Sequence, residues 1–459
     1  MSSMIQQYAS FIKSLTYDQL PQDVIVAAEN CILDCIGNMI YGRYSDMGNR
    51  ALQYIDRFSA NLSREEKAVI PGGEKYDLDS AAFAAAVMAR CADLDDGHRY
   101  AMGHPGSVLV PAAMIYGQKC SSSGQKILTA IVAGYEVYTR LGAAINPTSY
   151  RDRGFDSTGV TGAVACTATL AKLFELGEDQ IENALGIAAL FASGLIEYQN
   201  DGSMGKVLCG TWAIDTAVKA VRLAQSGFTG ATQALEGNKG FIQAFSNAPA
   251  PEKALEGLGQ IYKIKEIYFK MYACMRGLHA AVDALLDIRN SSNIRAEDAE
   301  CIEVHTTPFV GRLSKPHPTT EIGAQSSIEF ALAVSMINGH IASEKVLVNA
   351  LGQPETFALA SKVKLVMEKE IDNYVKANPS HWGAVNIIIR TKDGRCCEQW
   401  SPLPRGEAEN PFSWEQLREK FIHLAEGTPY MQYCDKLCAQ IQKFDELAAP
   451  VSLLIPWNS

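Results

Sequence analysis

The first 230 residues follow a helical pattern and show almost no strand-like alternation. From residue 21 onward, apolar side chains recur three and four positions apart, as at Val24, Ala28, Cys31 and Cys35, which is the spacing of one buried helix face. The same spacing predicts further helices over 81–90, 110–116, 125–141, 159–174, 181–195 and 213–225. Ser80 is the predicted N-cap of the first of these. Many helical positions hold small residues, so we expect closely packed helices in one large all-helical domain.

The pattern changes near residue 260, where strands begin to alternate with helices. Strands are predicted over 301–307, 363–367, 384–390 and 397–400, and 262–268 is either a strand or an extended segment. Asp393-Gly394 joins the last two strands as a hairpin. Helices are predicted over 280–288, 329–338, 342–351, 354–360, 412–424 and after Pro429. The predicted fold is therefore mainly α, with residues 1–265 and 405–459 in a large helical domain and 266–404 in a smaller α+β domain.

Length, charge and cysteine usage narrow the class of protein. A chain of 459 residues is longer than a single core usually supports. Its net charge of −10 argues against the basic surface that nonspecific nucleic-acid binding requires. The chain shows neither a signal peptide nor a long apolar run, and its twelve cysteines are scattered without a CxxC pair. We therefore expect a cytoplasmic protein with reduced thiols, no structural zinc, no membrane segment and no nucleic-acid partner.

A charged loop at 93–107 lies between two apolar segments, 81–89 and 108–116. It carries three carboxylates, two imidazoles and one guanidinium, namely Asp93, Asp95, Asp96, His98, His104 and Arg99. Such groups are costly to bury unless they are paired or used in chemistry, and the alternative is a solvated loop between helices. Pro105 and Gly106 restrict the backbone around His104. Because a rigid imidazole beside carboxylates suits proton transfer near neutral pH, His104 is the leading catalytic candidate.

Two further segments carry cations in settings that suit anion binding. Lys206 follows a glycine-containing turn and precedes a helix, although Val207 excludes a P-loop. Lys270 and Arg276 stand among aromatic and apolar residues near the predicted domain boundary, and cations beside a cleft bind carboxylates. The alternatives are a surface lysine at 206 and charges that reach solvent at 270 and 276. With no dinucleotide fingerprint, metal-ligand spacing or GxSxG motif, we expect a reaction on a small anionic molecule without cofactor or metal.

Motifs along nearly the whole chain, from about residue 5 to 450, resemble those of the MmgE/PrpD family. They are Asp93-Leu94-Asp95-Asp96 with His104-Pro105, Gly154-Phe155-Asp156-Ser157-Thr158-Gly159, Gly205-Lys206, Gly227-Phe228-Thr229-Gly230, Phe269-Lys270 with Tyr272-Ala273-Cys274, Ala324-Gln325 with Ser327, and Arg405-Gly406 with Asn410-Pro411. The ordered series is more specific than any one motif. The resemblance implies a large helical domain built from both ends of the chain, a smaller α+β lid domain, a homodimer, no cofactor and an active site between the domains.

The resemblance also implies roles for individual residues. Asp93 and His104 match the acidic and imidazole positions of the family, and Lys206 and Lys270 match its two lysines. We expect His104 to remove or return the proton on the carbon next to a carboxylate, with Asp93 orienting the imidazole or acting as the partner acid. The lysines would hold carboxylates and stabilise the enolate-like intermediate. The predicted substrate-binding residues are Asp96, Asp156, Arg276 and Gln325.

The chain departs from the family pattern at three positions. Asp156 stands where relatives often have His, Gly97 where they often have Thr, and Phe330 where Tyr is common. Asp156 is then either a different proton carrier or a partner of an arginine, the candidates being Arg151, Arg153 and Arg276.

The function predicted from these features is that of a dehydratase-type carbon–oxygen lyase, similar to 2-methylcitrate dehydratase, acting on a small di- or tricarboxylate. The alternatives are an epimerase of an aspartate- or succinate-like substrate and a cis-aconitate-type decarboxylase, because all three reactions share one intermediate. A non-catalytic carboxylate binder is the remaining possibility.

Overall fold

The computed structural model describes residues 2–58, 66–341 and 343–456. The helices before residue 250 are α1 (Met4–Ser14), α2 (Gln22–Arg43), α3 (Asp46–Phe58), α4 (Leu78–Arg90), α5 (Gly106–Lys119), α6 (Gly124–Ile145), α7 (Thr148–Arg151), α8 (Ser157–Leu173), α9 (Glu178–Phe191), α10 (Tyr198–Asp201), α11 (Gly205–Gln225) and α12 (Phe241–Phe245). Several are longer than predicted, because polar first and last turns do not show the apolar spacing. The prediction of Ser80 as an N-cap is wrong: Asp77 is the cap, and its carboxylate accepts from the main-chain N–H of Ser80 at 3.2 Å.

The later helices are α13 (His279–Ser291), α14 (Pro308–Gly311), α15 (Glu321–Gln325), α16 (Ile328–Asn338), α17 (Glu344–Ala350), α18 (Pro354–Ala360), α19 (Lys369–Ala377), α20 (Trp414–Ala425) and α21 (Cys434–Ile441). Residue 342, the predicted start of one of these helices, lies outside the described residues. Short 3₁₀ turns join the helices, at Tyr17–Gln19, Pro251–Ala254, Lys263–Glu266, Arg276–Leu278, Ala296–Asp298, Pro379–His381, Met431–Tyr433, Phe444–Glu446 and Pro450–Leu454.

The strands are β1 (Lys67–Val69), β2 (Lys75–Asp77), β3 (Gly97–His98), β4 (Ile267–Tyr268), β5 (Ala299–Thr306), β6 (Val363–Met367), β7 (Val385–Thr391) and β8 (Cys396–Ser401). The last four form one sheet in the order β6-β5-β7-β8. In it β5 and β6 are parallel, whereas β7 is antiparallel to both β5 and β8. The predicted hairpin is thereby confirmed. The β1–β2 pair and the β3–β4 pair were not predicted, because two or three residues are too few to show alternation.

The buried side chains form two clusters. The larger cluster combines α1–α6, α8, α9, α11 and α12 with α20 and α21, and α8 packs against α5, α6, α9 and α11 within it. The smaller cluster combines the sheet with α13, α16 and α18. A mainly helical fold with a small sheet in the C-terminal half is therefore confirmed. The predicted boundaries at 265/266 and 404/405 stay a prediction.

Helix α2 is long and apolar enough to cross a membrane by length and composition, but 83% of its most apolar window is buried inside the protein. It also carries the buried carboxylate of Asp34, which forms an ion pair with Lys420 of α20. The Lys420 ammonium also donates to the main-chain oxygen of Leu94 at 2.5 Å. Burial and this ion pair are the features of a core helix. Through Lys420, α2 also supports the 93–107 loop.

Candidate active site

The 93–107 loop begins where α4 ends, at the boundary between the two buried clusters. Arg90, the last residue of α4, is buried and donates from Nη1 to both carboxylate oxygens of Asp95, at 2.9 and 3.1 Å. The same atom lies 3.5 Å from Asp93 Oδ1. Asp93 itself has a φ of 54°, a left-handed conformation that few residues other than glycine adopt and that recurs at functional sites.

The short β3–β4 pair connects this loop to Lys270. Gly97 is paired with Tyr268, and His98 with Ile267, so Lys270 follows two residues after the paired segment. Its ammonium donates to Asp93 Oδ1 at 2.8 Å and to the main-chain oxygen of Asp93 at 3.0 Å. Two segments that are 177 residues apart in the chain are thus joined by one buried ion pair.

Lys206 reaches the same carboxylate from the first turn of α11. Its ammonium lies 3.0 Å from Asp93 Oδ2 and donates to Oε1 of Gln325 at 2.8 Å. Burial alone would raise the pKa of Asp93, but the charges of Lys206 and Lys270 outweigh burial and hold that pKa well below its usual range. Burial lowers the pKa of Lys206 to about 8, even though the charge of Asp93 opposes this shift. Asp93 therefore holds two ammonium groups side by side.

His104 presents an unprotonated nitrogen to the interior of the site. Its Nδ1 donates to the main-chain oxygen of Asp96 at 2.6 Å, so the neutral ring carries its lone pair on Nε2. Nε2 has no hydrogen-bond partner in the described parts of the chain. Burial, followed by the charge of Arg90, lowers the pKa of His104 to about 4. The imidazole is accordingly neutral near pH 7.

Asp93 does not orient His104 as predicted. The carboxylate near the imidazole is that of Asp95, whose Oδ2 lies 3.6 Å from His104 Nδ1, and the hydrogen bond comes from the main chain of Asp96. The Asp93 carboxylate instead forms ion pairs with both lysines. Its backbone adopts the left-handed conformation at the start of the loop. The proximity of Asp95 to the imidazole was not predicted from the sequence.

Two of the predicted substrate-binding side chains, Asp96 and Gln325, do not line the cavity. Asp96 accepts from the main-chain N–H of Gly106 at 2.8 Å and from the hydroxyl of Tyr135 at 2.5 Å. Burial, with the charge of Asp34 adding to it, raises the pKa of Asp96 to about 7. Gln325 is fully buried and holds Lys206. The prediction that these two contact substrate is corrected: both position residues that line the cavity.

Asp156 lines the cavity, and no arginine among the described residues forms an ion pair with its carboxylate. Its carboxylate caps α8 by accepting from the main-chain N–H of Thr158 at 2.8 Å, and it accepts from the hydroxyl of Tyr198 at 2.6 Å. The predicted pairing with Arg151, Arg153 or Arg276 is therefore wrong: one carboxylate oxygen accepts from the helix N-terminus and the other from a tyrosine of α10.

Arg276 lines the cavity, and its charge is matched within the protein. Its Nη2 lies 2.8 Å from Glu407 Oε1, and its guanidinium lies 4.6 Å from the centre of the Tyr268 ring. Glu407 also lies 3.2 Å from Nη1 of Arg99 in the loop. The sequence gives no signal for Glu407, which stands 131 residues from Arg276.

The cavity enclosed by these groups has a volume of about 370 Å³. It brings together Asp93, His104, Asp156, Lys206, Lys270 and Arg276 from the predicted set, with Arg90, Arg99, Tyr198, Tyr268 and Trp382 among the residues not predicted. Among residues 2–58, 66–341 and 343–456, no group of three or more His, Cys, Asp and Glu side chains is arranged to hold a metal ion. The site therefore combines a neutral imidazole, a shared carboxylate and a set of ammonium and guanidinium groups.

Tyr268 is a cavity residue that the sequence did not single out, and its ring explains why residue 97 is glycine. A Cβ on Gly97 would lie 2.3 Å from the Cζ and the hydroxyl oxygen of Tyr268. The Tyr268 hydroxyl has no hydrogen-bond partner within the described ranges, although the residue is 5% exposed. The phenol therefore takes the space next to the loop and offers an unused donor to the cavity.

We expect Tyr268→Phe to lower kcat/KM by about tenfold to a hundredfold, the range for a hydrogen bond to a charged group. The melting temperature should stay unchanged, because no hydrogen bond within the protein is lost. Steady-state kinetics and a thermal melt of the same preparation check both expectations. An unchanged kcat/KM would show that the hydroxyl does not contact substrate.

Comparison with known proteins places these observations in a family. The chain is 26% identical to the cis-aconitate decarboxylase-like protein oryM of Aspergillus oryzae, over 91% of this chain and 90% of that protein. It is 27% identical to cis-aconitate decarboxylase of Aspergillus terreus, over 92% and 89% of the two chains. It is 24% identical to cis-aconitate decarboxylase of Mus musculus, over 97% and 92%.

Two domain models account for most of the sequence. The MmgE/PrpD N-terminal domain matches residues 6–254, and the MmgE/PrpD C-terminal domain matches residues 272–436. The junction between the two matches falls at residues 255–271, in the segment that carries Tyr268 and Lys270 into the cavity. With both domains present and in order, the chain belongs to the MmgE/PrpD family.

Proposed function

We propose that the protein is a lyase that removes a proton next to a carboxylate of a small di- or tricarboxylate and expels hydroxide from the neighbouring carbon. The observation that carries this proposal is the neutral His104 imidazole, whose Nε2 lone pair lines the same cavity as the ammonium groups of Lys206 and Lys270. A base must be unprotonated before it acts, and a developing enolate needs fixed positive charge nearby.

The proposed steps balance as a dehydration. His104 Nε2 takes the proton from the carbon next to the carboxylate, and the electron pair of that C–H bond moves onto the carboxylate as an enolate-like intermediate. The intermediate collapses to a carbon–carbon double bond while the neighbouring C–O bond breaks. The protonated His104 returns that proton to the leaving hydroxide, which departs as water and leaves the imidazole neutral again. Lys206 and Lys270 stabilise the negative charge throughout, and Asp93 keeps their two ammonium groups adjacent.

Decarboxylation is the second candidate, and the relatives favour it: three matched proteins are named cis-aconitate decarboxylases or are described as similar to one. In that reaction the carbon–carboxylate bond breaks, carbon dioxide leaves and a proton takes its place on the chain. A neutral His104 has no proton on Nε2, the nitrogen assigned to the cavity, so the ammonium of Lys206, with its pKa of about 8, would supply it. This extra requirement is why dehydration is proposed first.

The test is a panel of di- and tricarboxylates, with and without a hydroxyl group next to the acidic carbon, followed by NMR of the products. A new alkene and water support the dehydratase, whereas release of carbon dioxide supports the decarboxylase. Inversion at one carbon without loss of atoms identifies the epimerase. Binding of these acids without any chemical change would overturn both lyase proposals.

The pH profile follows from the pKa of each group. His104, with a pKa of about 4, stays unprotonated from about pH 5 upward, so kcat/KM should not fall near the pKa of an ordinary histidine, about 6.5. Lys206 loses its proton as the pH rises through about 8, so kcat/KM should fall above that pH. Asp93→Asn removes a charge that raises the pKa of Lys206, and the alkaline limb should therefore move to lower pH.

The measurement is kcat/KM against pH, corrected for ionisation of the substrate. Asp96→Asn is the control, because the raised pKa of Asp96, about 7, is the other transition in this range. An acidic limb near 6.5 that Asp96→Asn leaves in place would contradict the neutral imidazole. An alkaline limb that Asp93→Asn does not move would contradict the role of Lys206.

We also infer that the protein is a homodimer, an expectation of the family that an exposed apolar face supports. Six large side chains, each at least 43% exposed, form this face: Leu190, Phe191, Leu195, Met204, Leu208 and Trp212. The last three follow at intervals of four from the N-cap into the first two turns of α11, and α11 packs against α9, which ends at Phe191. Monomeric proteins rarely leave so many large apolar groups together in water.

We expect Trp212→Glu to shift the protein from the mass of two chains to the mass of one in size-exclusion chromatography with light scattering. Trp400→Glu is the matched control, because Trp400 is 38% exposed on β8, away from the face, and should leave the mass unchanged. A wild-type protein that elutes as a monomer at micromolar concentration would contradict the dimer. The cytoplasmic location stays a prediction.

A further inference from the structure

The cations of the cavity differ in how their charge is matched. Lys206 and Lys270 share Asp93, and Arg90 binds Asp95. In the same way, Arg276 and Arg99 share Glu407, and Arg99 also pairs with Glu409 at 2.6 Å. Each of these inner cations therefore has a carboxylate within ion-pair distance before any substrate binds.

Three other cations at the cavity have no such partner. Arg151, Arg312 and Lys315, called the mouth cluster below, line the cavity, and no carboxylate oxygen of the described residues forms an ion pair with their charged nitrogens. Arg151 lies over the ring of Phe309 at 4.2 Å, and the ammonium of Lys315 donates to the main-chain oxygen of Gln199. Both contacts position a cation without neutralising it.

The nearest acidic groups are used elsewhere or stand apart. Glu329 accepts from the main-chain N–H of Lys315 at 2.9 Å and from the hydroxyl of Ser314. Asp152 is exposed and acts on Arg151 only at longer range. Partial burial lowers the pKa of Arg151; the charge of Asp152 opposes this shift, and the like charge of Arg312 adds to it. Arg151 and Arg312 are thus close enough for their like charges to interact, and Lys315 lines the same cavity, in a protein whose net charge is −10.

A count of formal charges locates the unmatched charge. The inner part of the cavity has three positive charges and three negative charges, so its formal charge is zero. The positive groups are Arg90, Lys206 and Lys270, and the negative groups are Asp93, Asp95 and Asp156. The Arg276, Arg99, Glu407 and Glu409 network also sums to zero. The mouth cluster adds three positive charges with no carboxylate in contact. A concentrated positive potential at the opening of a cavity draws an anionic ligand and stabilises a charge placed there.

We propose that the mouth cluster binds a further carboxylate of the substrate, remote from the reacting carbon, and so selects tricarboxylates over dicarboxylates. This inference rests on the proposed function, since it assigns a carboxylate to the inner lysines first. Arg151 comes from α7 in the large helical part, whereas Arg312 and Lys315 follow α14 in the part that holds the sheet. A bound tricarboxylate would therefore contact both parts of the protein at once.

The experiment compares the binding of tricarballylate and glutarate by calorimetry, at neutral pH and constant ionic strength. These two acids share a five-carbon chain with terminal carboxylates and differ by one central carboxylate. The wild-type protein should bind tricarballylate at least about tenfold more tightly, the effect of one charge-assisted hydrogen-bonded contact. The double variant Arg312→Gln with Lys315→Gln should reduce this ratio to less than about threefold and leave glutarate binding unchanged.

Arg153→Gln is the matched control. Arg153 lies two residues from Arg151, is exposed and donates to Asn247 at 3.4 Å, outside the cavity lining. It should leave the ratio unchanged, which separates a specific contact from a general effect of surface charge. The conservative variant Lys315→Arg should retain most of the preference for tricarballylate over glutarate.

Each outcome decides between the two proposals. A preference for tricarballylate that survives the double variant, or a loss that affects both acids equally, overturns the mouth cluster as a third-carboxylate site and leaves the proposed function standing. Failure of the wild-type protein to bind either acid overturns the proposed function together with this inference. A preference that the double variant abolishes, with Arg153→Gln unaffected, supports the third-carboxylate site.

Discussion

His104→Gln is expected to lower kcat by about 10²- to 10⁴-fold, the range of a general base. Glutamine can still donate an N–H to the main-chain oxygen of Asp96, which His104 Nδ1 contacts at 2.6 Å. It has no basic nitrogen, however, and therefore removes only the Nε2 lone pair that lines the cavity. Turnover of the substrate identified in the carboxylate panel is the measurement, together with a thermal melt to verify folding.

His98→Gln is the comparison that makes this result specific. His98 lies in the same loop, but Nε2 contacts Glu266 at 3.2 Å and Nδ1 accepts from the main-chain N–H of Ala101 at 3.1 Å. With both nitrogens in use, we expect a lower melting temperature and a loss in kcat of less than about tenfold. Near wild-type turnover in His104→Gln would rule out His104 as the base.

Lys270→Gln is expected to lower kcat by about 10²- to 10³-fold, the effect of removing one donor that stabilises a developing negative charge. The side chain is 1% exposed and its ammonium lies 2.8 Å from Asp93 Oδ1. The variant also leaves Asp93 with one fewer cation, although Lys206 and Arg90 remain within ion-pair distance. We therefore expect destabilisation below the roughly 3–5 kcal/mol of a fully orphaned buried charge.

Lys420→Gln separates the catalytic effect from the loss of stability. Lys420 is also a buried lysine, paired with Asp34 and bonded to the main-chain oxygen of Leu94, but it does not line the cavity. It should lower the free energy of unfolding at least as much as Lys270→Gln while retaining more kcat per folded molecule. Equal losses of kcat in the two variants would assign Lys270 a structural role only.

Much of the fold was predictable because apolar spacing records which face of each element is buried. The helix Pro354–Ala360 and the strand Val363–Met367 have the predicted bounds. Helix α11 begins eight residues before its predicted start, since Leu208 and Trp212 are exposed and break the buried stripe. These exposed side chains instead belong to the face proposed for dimer formation.

The site was predictable in its members and less so in their contacts. The charged loop drew attention to Asp93 and His104, but the left-handed backbone at Asp93, which turns its carboxylate toward the lysines, leaves no mark in the residue pattern. Partners far apart in the chain were missed for the same reason, as with Glu407. From the sequence, Gly97 replaces a Thr that is frequent in relatives and so removes a hydroxyl. In the structure, the Tyr268 phenol takes the space that a side chain at position 97 would need.

The central claim is that His104 transfers a proton at the carbon next to a carboxylate, and deuterium incorporation tests it most directly. The reaction is brought to equilibrium in D₂O with the substrate from the panel, and the recovered acids are analysed by NMR. Wild-type enzyme should place one deuterium at that carbon, and His104→Gln should do so at a rate lower by about 10²-fold or more. Incorporation at the same rate in His104→Gln, or turnover with no deuterium at that carbon, would contradict the claim.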